Sequence, residues 1–227
     1  MSKGFLGIIV AVILVFAGIV IVGGNNKSAS KSSSKNGSSL TQHVEGKGTA
    51  GVTLTEYGDY ECPYCEQYYP TVKSVVTEFG DKIKFQFRNF PLTSLHRNAF
   101  AAARAAEAAS LQGKFWEMHD ALYDPGNYQS WTTSGSPNVS FEQYAQQLGL
   151  NVTKFKTDFA SSQVNDAINA DMAEGNRLGI TGTPSFFLNG KKIEIANDLK
   201  NFQKILNDAV AKQAPANAGT TSQTKAN

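Results

Sequence analysis

Cysteine is nearly absent from this sequence: 227 residues contain two. That excludes the disulfide framework that staples small secreted domains. Zinc fits poorly too, because it needs about four N, S or O ligands. There is no second cysteine pair, and His96 and His119, two of only three histidines, have no ligand-like spacing. No metal is therefore expected. A strong charge of either sign is also lacking, the formal net charge being +2. From Thr49 to Lys212 there are 15 Lys/Arg against 18 Asp/Glu, and the basic surplus lies chiefly at Lys27, Lys31, Lys35 and Lys47. A mildly acidic body argues against nucleic acid as a partner. No internal repeat is present, which sets aside solenoids and propellers.

Long apolar runs are absent except for one, Phe5 to Val22, which carries no charge. Its length is near the minimum for a membrane-spanning helix. Val22-Gly23-Gly24 is a poor cleavage site, and no cysteine follows that could carry a lipid. Residues 1–24 therefore read as an uncleaved membrane anchor, with a cleaved signal segment as the alternative. Residues 25–48, rich in Ser, Lys, Asn and Gly, read as a flexible tether. Residues 213–227 read as a disordered tail. Lysines after the run outnumber Lys3 before it, which by the charge rule keeps the body inside. A short basic start before an apolar N-terminal run is instead the form of an export segment, and a lone dithiol suits a compartment where disulfides persist. The expectation is a single-pass cell-membrane protein with its body on the extracytoplasmic side.

The body suits one domain. Val52 to Tyr57 is β-branched and predicts a strand. A helix follows from about Cys62 to Phe79, with Pro63 suited to the first helical position and Pro70 inside it as a kink. Lys82 to Phe90 alternates Ile83, Phe85 and Phe87 with Lys84, Gln86 and Arg88, a strand with one buried face. These three elements form a βαβ unit, residues 49–95. Residues 96–178 are helical in pattern: an Ala-rich segment from His96 to Ala109 and a helix from Phe115 to Leu122. A loop from Asp124 to Ser140 follows, then helices capped by Ser140 and by Asn151, and a longer one from Gln163 to Leu178. In residues 179–212, Thr183–Leu188, Asn189-Gly190 and Lys191–Ile195 give a hairpin signal, and a helix spans Asp198 to Lys212.

The two cysteines stand as Cys62-Pro63-Tyr64-Cys65. Two residues between them at a helix start allow a strained, reducible disulfide, and no third cysteine competes. A thiolate, not a thiol, attacks disulfides. At the helix N-terminus Cys62 faces free N–H groups and the positive end of the dipole, so it is the expected nucleophile. Cys65, one turn further in, is the expected resolving residue. Among the crowded tyrosines, Tyr60 and Tyr64 are expected as a sticky rim for unfolded chains. Glu61 and Glu66 flank the motif, and their charge disfavours a thiolate. His96, His119, Trp116 and Trp131 read as structural.

Glu56, the Cys-Pro-Tyr-Cys motif, Pro70 and the Gly182-Thr-Pro-Ser185 segment together resemble the thioredoxin superfamily. The long helical stretch before the hairpin, with Phe115-Trp-Glu-Met-His-Asp120 and Leu178-Gly-Ile-Thr-Gly-Thr-Pro184, is similar to DsbA-like thiol:disulfide oxidoreductases of the membrane-anchored bacterial kind. The resemblance covers about residues 50–210. It implies an α/β thioredoxin fold with a helical domain inserted between the βαβ unit and a C-terminal ββα unit. It further implies a cis bond before Pro184, facing the dithiol and turning the Thr183 backbone toward a substrate strand. Pro63 and Tyr64 would contact the same substrate. Glu56 would be the buried acid beneath Cys65, accepting its proton directly or through water.

The expected activity is thiol:disulfide exchange, an oxidase passing the Cys62–Cys65 disulfide to secreted or cell-surface polypeptides that bear thiols. The redox-active disulfide is its only redox group, with no separate cofactor. By the resemblance, a membrane thiol oxidase would reoxidise it. Two rivals stand beside this reading. One is a reductase or isomerase, since Cys-Pro-Tyr-Cys is also the glutaredoxin motif, although the Gly-Gly-x-Asp glutathione contact has no clear match in Asn189 to Leu199. The other is a non-catalytic holdase or assembly factor using the same surface.

Overall fold

The computed structural model describes residues 39–213. Its five-stranded sheet has the order β1-β3-β2-β4-β5, formed by β1 (His43–Glu45), β2 (Val52–Gly58), β3 (Ile83–Asn89), β4 (Ser185–Leu188) and β5 (Lys191–Ile193). The pair β2 and β3 is parallel and the other pairs are antiparallel. Helix α1 (Pro63–Phe79) makes the crossover that a parallel pair needs. Six helices separate β3 from β4: α2 (Ala99–Ser110), α3 (Phe115–Tyr123), α4 (Pro125–Thr132), α5 (Asn138–Gln147), α6 (Val152–Phe159) and α7 (Ser162–Arg177). The hairpin and α8 (Leu199–Gln213) complete the chain's described part. This is the α/β thioredoxin fold with a helical insertion that the resemblance implied.

The sheet is covered on both faces, and its strands show it. Leu54, Phe85 and Phe87 join Val72 and Val75 of α1 and Phe202 of α8 in the main core. Adjacent strand residues point to opposite faces. Phe186 therefore meets Tyr68 and Phe202, while Phe187 meets Tyr57 in a second cluster with Phe90 and Ile180. The hairpin turns on Asn189 (φ 48°) and Gly190 (φ 78°), the two left-handed residues that a type I′ turn demands.

Close packing reaches to the end of β2. A Cβ on Gly58 would lie 2.4 Å from Cε2 and 2.7 Å from Cζ of Phe87, a ring that is fully buried. Gly58→Ala is expected to destabilise the fold by about 1–3 kcal/mol through overpacking. A lowered urea midpoint at unchanged slope checks this, and an unchanged midpoint would refute it.

Several expectations are corrected. The tether was expected to run to residue 48, but β1 pairs with β3, and Thr41 is buried and bonded to Asp171 through its amide (3.0 Å) and hydroxyl (2.6 Å). Tertiary partners give these few residues the order that their local composition does not. Arg88 was placed on the exposed strand face; it is buried against Asp171 at 3.1 Å and also donates to the Thr41 carbonyl. The loop from Asp124 contains α4, capped by Asp124 on the Gly126 N–H and fastened by buried Trp131. Helix α5 begins at Asn138, without a side-chain cap, so Ser140 is inside it. Asn151 does cap α6, accepting from the Lys154 amide at 2.9 Å.

The expected single-pass membrane placement is also corrected. Among the described residues no helix is long and apolar enough to cross a membrane. Even α1, the longest at 17 residues, spans only about 26 Å against a hydrocarbon core of about 30 Å, and one of its faces is charged. The apolar run Phe5 to Val22, on which the expectation rested, lies outside the described residues, as does nearly all of the expected tail.

Candidate active site

Strand β2 leaves the sheet at Gly58, and a short turn carries the chain into α1. Cys62 is the N-cap, with extended backbone (φ −71°, ψ 121°), and Pro63 follows as the first helical residue, where its missing N–H leaves no ladder bond unmade. No side chain caps this helix, so its first amides face the Cys62 sulfur. Both cysteines are buried free thiols. Pro63 and Tyr64 are exposed, Tyr64 at 64%.

Opposite the dithiol stands the Thr183-Pro184 peptide bond, which is cis. The Thr183 carbonyl oxygen lies 3.4 Å from Cys62 Sγ. The expected neighbours are thus brought together. A cleft of about 200 Å³ continues from them, lined by Tyr64, Tyr68, Thr183, Pro184, Phe186 and Ile195. A larger hollow of about 550 Å³ lies by Glu45, Lys73 and Asp81 and touches none of the candidate residues.

The two sulfurs are driven apart in acidity. The Cys65 thiol, hydrogen-bonded to Cys62, is the largest influence holding Cys62 down at about 6, and the Cys65 and Tyr64 N–H groups add to it against opposing burial. The Thr183 carbonyl accepts from the thiol form, so its closeness marks position rather than thiolate stabilisation. Cys65 is pushed well above the usual thiol range, first by burial and then by Cys62 and Glu56. Only the Asp59 amide, 3.5 Å from Cys65 Sγ, works the other way.

Glu56 sits on β2 opposite Phe87 and Phe186 and is 4% exposed. Burial, with the nearby Cys62 charge, raises its carboxyl to about 8. At neutral pH it is therefore largely protonated beside the Cys62 thiolate. A protonated carboxyl so placed can give a proton to a leaving thiolate and take one back in the reverse step.

The flanking residues differ from expectation. Tyr60 is no rim: it is 1% exposed, with its ring centroid 5.2 Å from Phe87 and 5.0 Å from Tyr123. Glu61 accepts from the Asn98 amide at 2.5 Å, and burial raises its pKa, which weakens its opposition to the thiolate. Two residues near the dithiol were not read as part of the site: Asp59 was not singled out, and His96 was read as structural. Asp59 has a fully buried side chain, and His96 places Nδ1 2.7 Å from its Oδ2. They lie 37 positions apart, and no local pattern relates them.

Among curated proteins, the chain is similar to the Na(+)/H(+) antiporters NhaA 1 of Mycolicibacterium gilvum (37% identical, 66% of this chain and 24% of that protein) and NhaA 1 of Salinispora arenicola (40% identical, 66% and 22%). It spans about a quarter of the length of those relatives. Among solved structures, it is similar to a thioredoxin-like oxidoreductase from Silicibacter pomeroyi (29% identical, TM-score 0.61, 77% of this chain and 92% of that one). BdbD from Bacillus subtilis shares the fold at 24% identity (TM-score 0.61, 74% and 92%). Residues 38–208 match the family described as Thioredoxin, well over half of the sequence, and the chain belongs to that family.

Proposed function

We propose that this protein is a thiol:disulfide oxidoreductase that works as an oxidant, passing the Cys62–Cys65 disulfide to thiols of secreted polypeptides where disulfides persist. The observation that carries the reading is the opposed acidity of the two sulfurs beside the Thr183-Pro184 bond, with Cys62 at about 6 and Cys65 raised. A substrate thiolate attacks Cys62 Sγ, the Cys62–Cys65 bond breaks, and Cys65 leaves with the electron pair. Glu56 supplies its proton. A second substrate thiolate then attacks the substrate sulfur of the mixed disulfide and releases Cys62 as a thiolate. Two electrons have passed to the protein, and a membrane thiol oxidase is the reoxidant class that the resemblance implies. Thr183, Pro184, Pro63 and Tyr64 would hold the extended substrate along the cleft.

Stabilising the Cys62 thiolate favours the reduced pair and makes the disulfide more oxidising. A pKa of about 6 lies between those of thioredoxin and DsbA, roughly 7 and 3.5. The expected reduction potential is accordingly between about −270 and −120 mV, measured by equilibration with glutathione. A value at or below the lower limit would support the reductase reading instead. Tyr64→His should move the potential upward by about 30 mV for each pKa unit removed from Cys62. A downward shift would mean that groups outside the motif set the poise.

A further inference from the structure

We propose that His96 is a positioning residue for dithiol exchange: by holding the Asp59 carboxylate, it keeps the Asp59 N–H aimed at Cys65 Sγ. The inference rests on the dithiol reading above and names a part of the machinery that lies outside the motif.

The Asp59 side chain is fully buried, and every link that the structure gives its carboxylate is to the dithiol turn or to the segment after β3. Oδ1 accepts from the Glu61 amide at 2.8 Å. Oδ2 accepts from the Leu92 amide at 2.8 Å and lies 2.7 Å from His96 Nδ1. With a carboxylate as acceptor, the imidazole donates from Nδ1. The backbone of Asp59 is committed as well. Its carbonyl accepts from the Cys62 amide at 3.1 Å, and its amide lies 3.5 Å from Cys65 Sγ. One residue thus touches both halves of the dithiol through its backbone and is held in place through its side chain.

Of the three donors to the carboxylate, two are backbone amides. Only His96 is a side chain that can be exchanged without moving the chain, and at 19% side-chain exposure it is not a core residue. Neighbouring contacts fasten the same turn to the helical insertion. The Asn98 amide donates to Glu61, and the Tyr128 hydroxyl donates to the Glu61 carbonyl at 2.7 Å. The insertion therefore helps set the shape of the redox turn.

The chemical consequence falls on one step. When a thiolate attacks Cys62, the Cys62–Cys65 bond breaks and Cys65 gains the electron pair, so negative charge develops on the sulfur that the Asp59 N–H faces. A donor already aimed at developing charge stabilises the transition state without reorganisation. Forming the disulfide passes through the same transition state in reverse. Loosening the turn should slow both directions equally and leave the equilibrium between them nearly unchanged.

The test compares wild type, His96→Leu and His96→Asn, measuring cleavage and formation of the Cys62–Cys65 bond with a thiol peptide by rapid-quench alkylation, together with the glutathione equilibrium and thermal unfolding. His96→Leu should slow both directions about tenfold, the scale of a weakened hydrogen bond to a charged group. The potential should move by less than about 30 mV, one tenfold step in the equilibrium constant. His96→Asn, which retains an N–H near the Nδ1 position, should recover most of the rate. Unchanged rates in His96→Leu with an active wild type would overturn the positioning role alone. Equal slowing in both variants in step with lowered unfolding temperatures, or a larger shift of the potential, would reduce His96 to a packing residue. A wild type that exchanges no disulfides would overturn the dithiol reading, and this inference with it.

Discussion

Cys65→Ala is expected to accumulate mixed disulfides through Cys62, and Cys62→Ala to accumulate none. The difference follows from acidity and position. Cys62, at about 6, is mostly thiolate at pH 7 and lies beside the Thr183-Pro184 bond. Cys65 is 1% exposed, and burial holds it as a thiol. With Cys65 removed, Cys62 loses the hydrogen bond that lowers it most but keeps the N–H groups of positions 64 and 65. A disulfide substrate therefore still meets an attacking sulfur, at a reduced rate, while the internal thiol that would release it is gone. With Cys62 removed, the remaining sulfur is neither ionised nor reachable, and exchange falls to the background of free thiols. Non-reducing electrophoresis after acid quenching checks this. Adducts trapped on Cys65 in Cys62→Ala would reverse the assignment and with it the attacking role given to the helix N-terminus.

The parts of the fold legible in the sequence were those whose signals are local. Alternation in β3, the turn residues Asn189 and Gly190, and the Asn151 cap all act within a few positions of themselves. Strand β1 was not legible, because its three residues are ordered by pairing with β3 and by the anchoring of nearby Thr41 to Asp171, 130 positions away. Helix α4 was missed for a related reason. Pro125-Gly126-Asn127 has little helical propensity of its own, and the helix is stabilised by the Asp124 cap and by Trp131, whose Nε1 donates to the Leu122 carbonyl at 3.1 Å. At the site, Cys62, Cys65 and Pro184 announced themselves through motif and resemblance. Asp59 and His96 did not, since nothing in their spacing relates them until β3 brings the following segment back across the dithiol turn. The protonation of Glu56 was equally hidden, because it depends on what surrounds the carboxyl rather than on where it stands in the chain.

That burial leads to the second large expectation: Glu56→Gln should stabilise the reduced protein at neutral pH and slow its chemistry. The folded-state pKa of about 8 lies above the ordinary value of 4.5, because burial, with the Cys62 charge added, penalises the ionised form. Between those values the native state binds more protons than the unfolded state, so stability falls as pH rises through that window. At pH 7 the gap of roughly 2.5 units to the unfolded value amounts to on the order of 3 kcal/mol of destabilisation. Glutamine removes the ionisation. Urea unfolding of the reduced variant should show a gain of that order at pH 7, little gain at pH 4, and a flatter pH profile between. The oxidised protein lacks the Cys62 thiolate, the second cause of the shift, and its gain should be smaller. The same substitution removes the acid proposed to protonate Cys65 as it leaves and the base proposed to deprotonate it on return. Cleavage and formation of the Cys62–Cys65 bond should therefore slow, while attack of a second substrate thiol on the mixed disulfide proceeds at nearly the wild-type rate. A variant no more stable than wild type at pH 7 would mean that the carboxyl ionises freely and is not buried as described. A variant that gains stability while keeping wild-type rates at every step would leave Glu56 a buried acid with no part in the proton transfer.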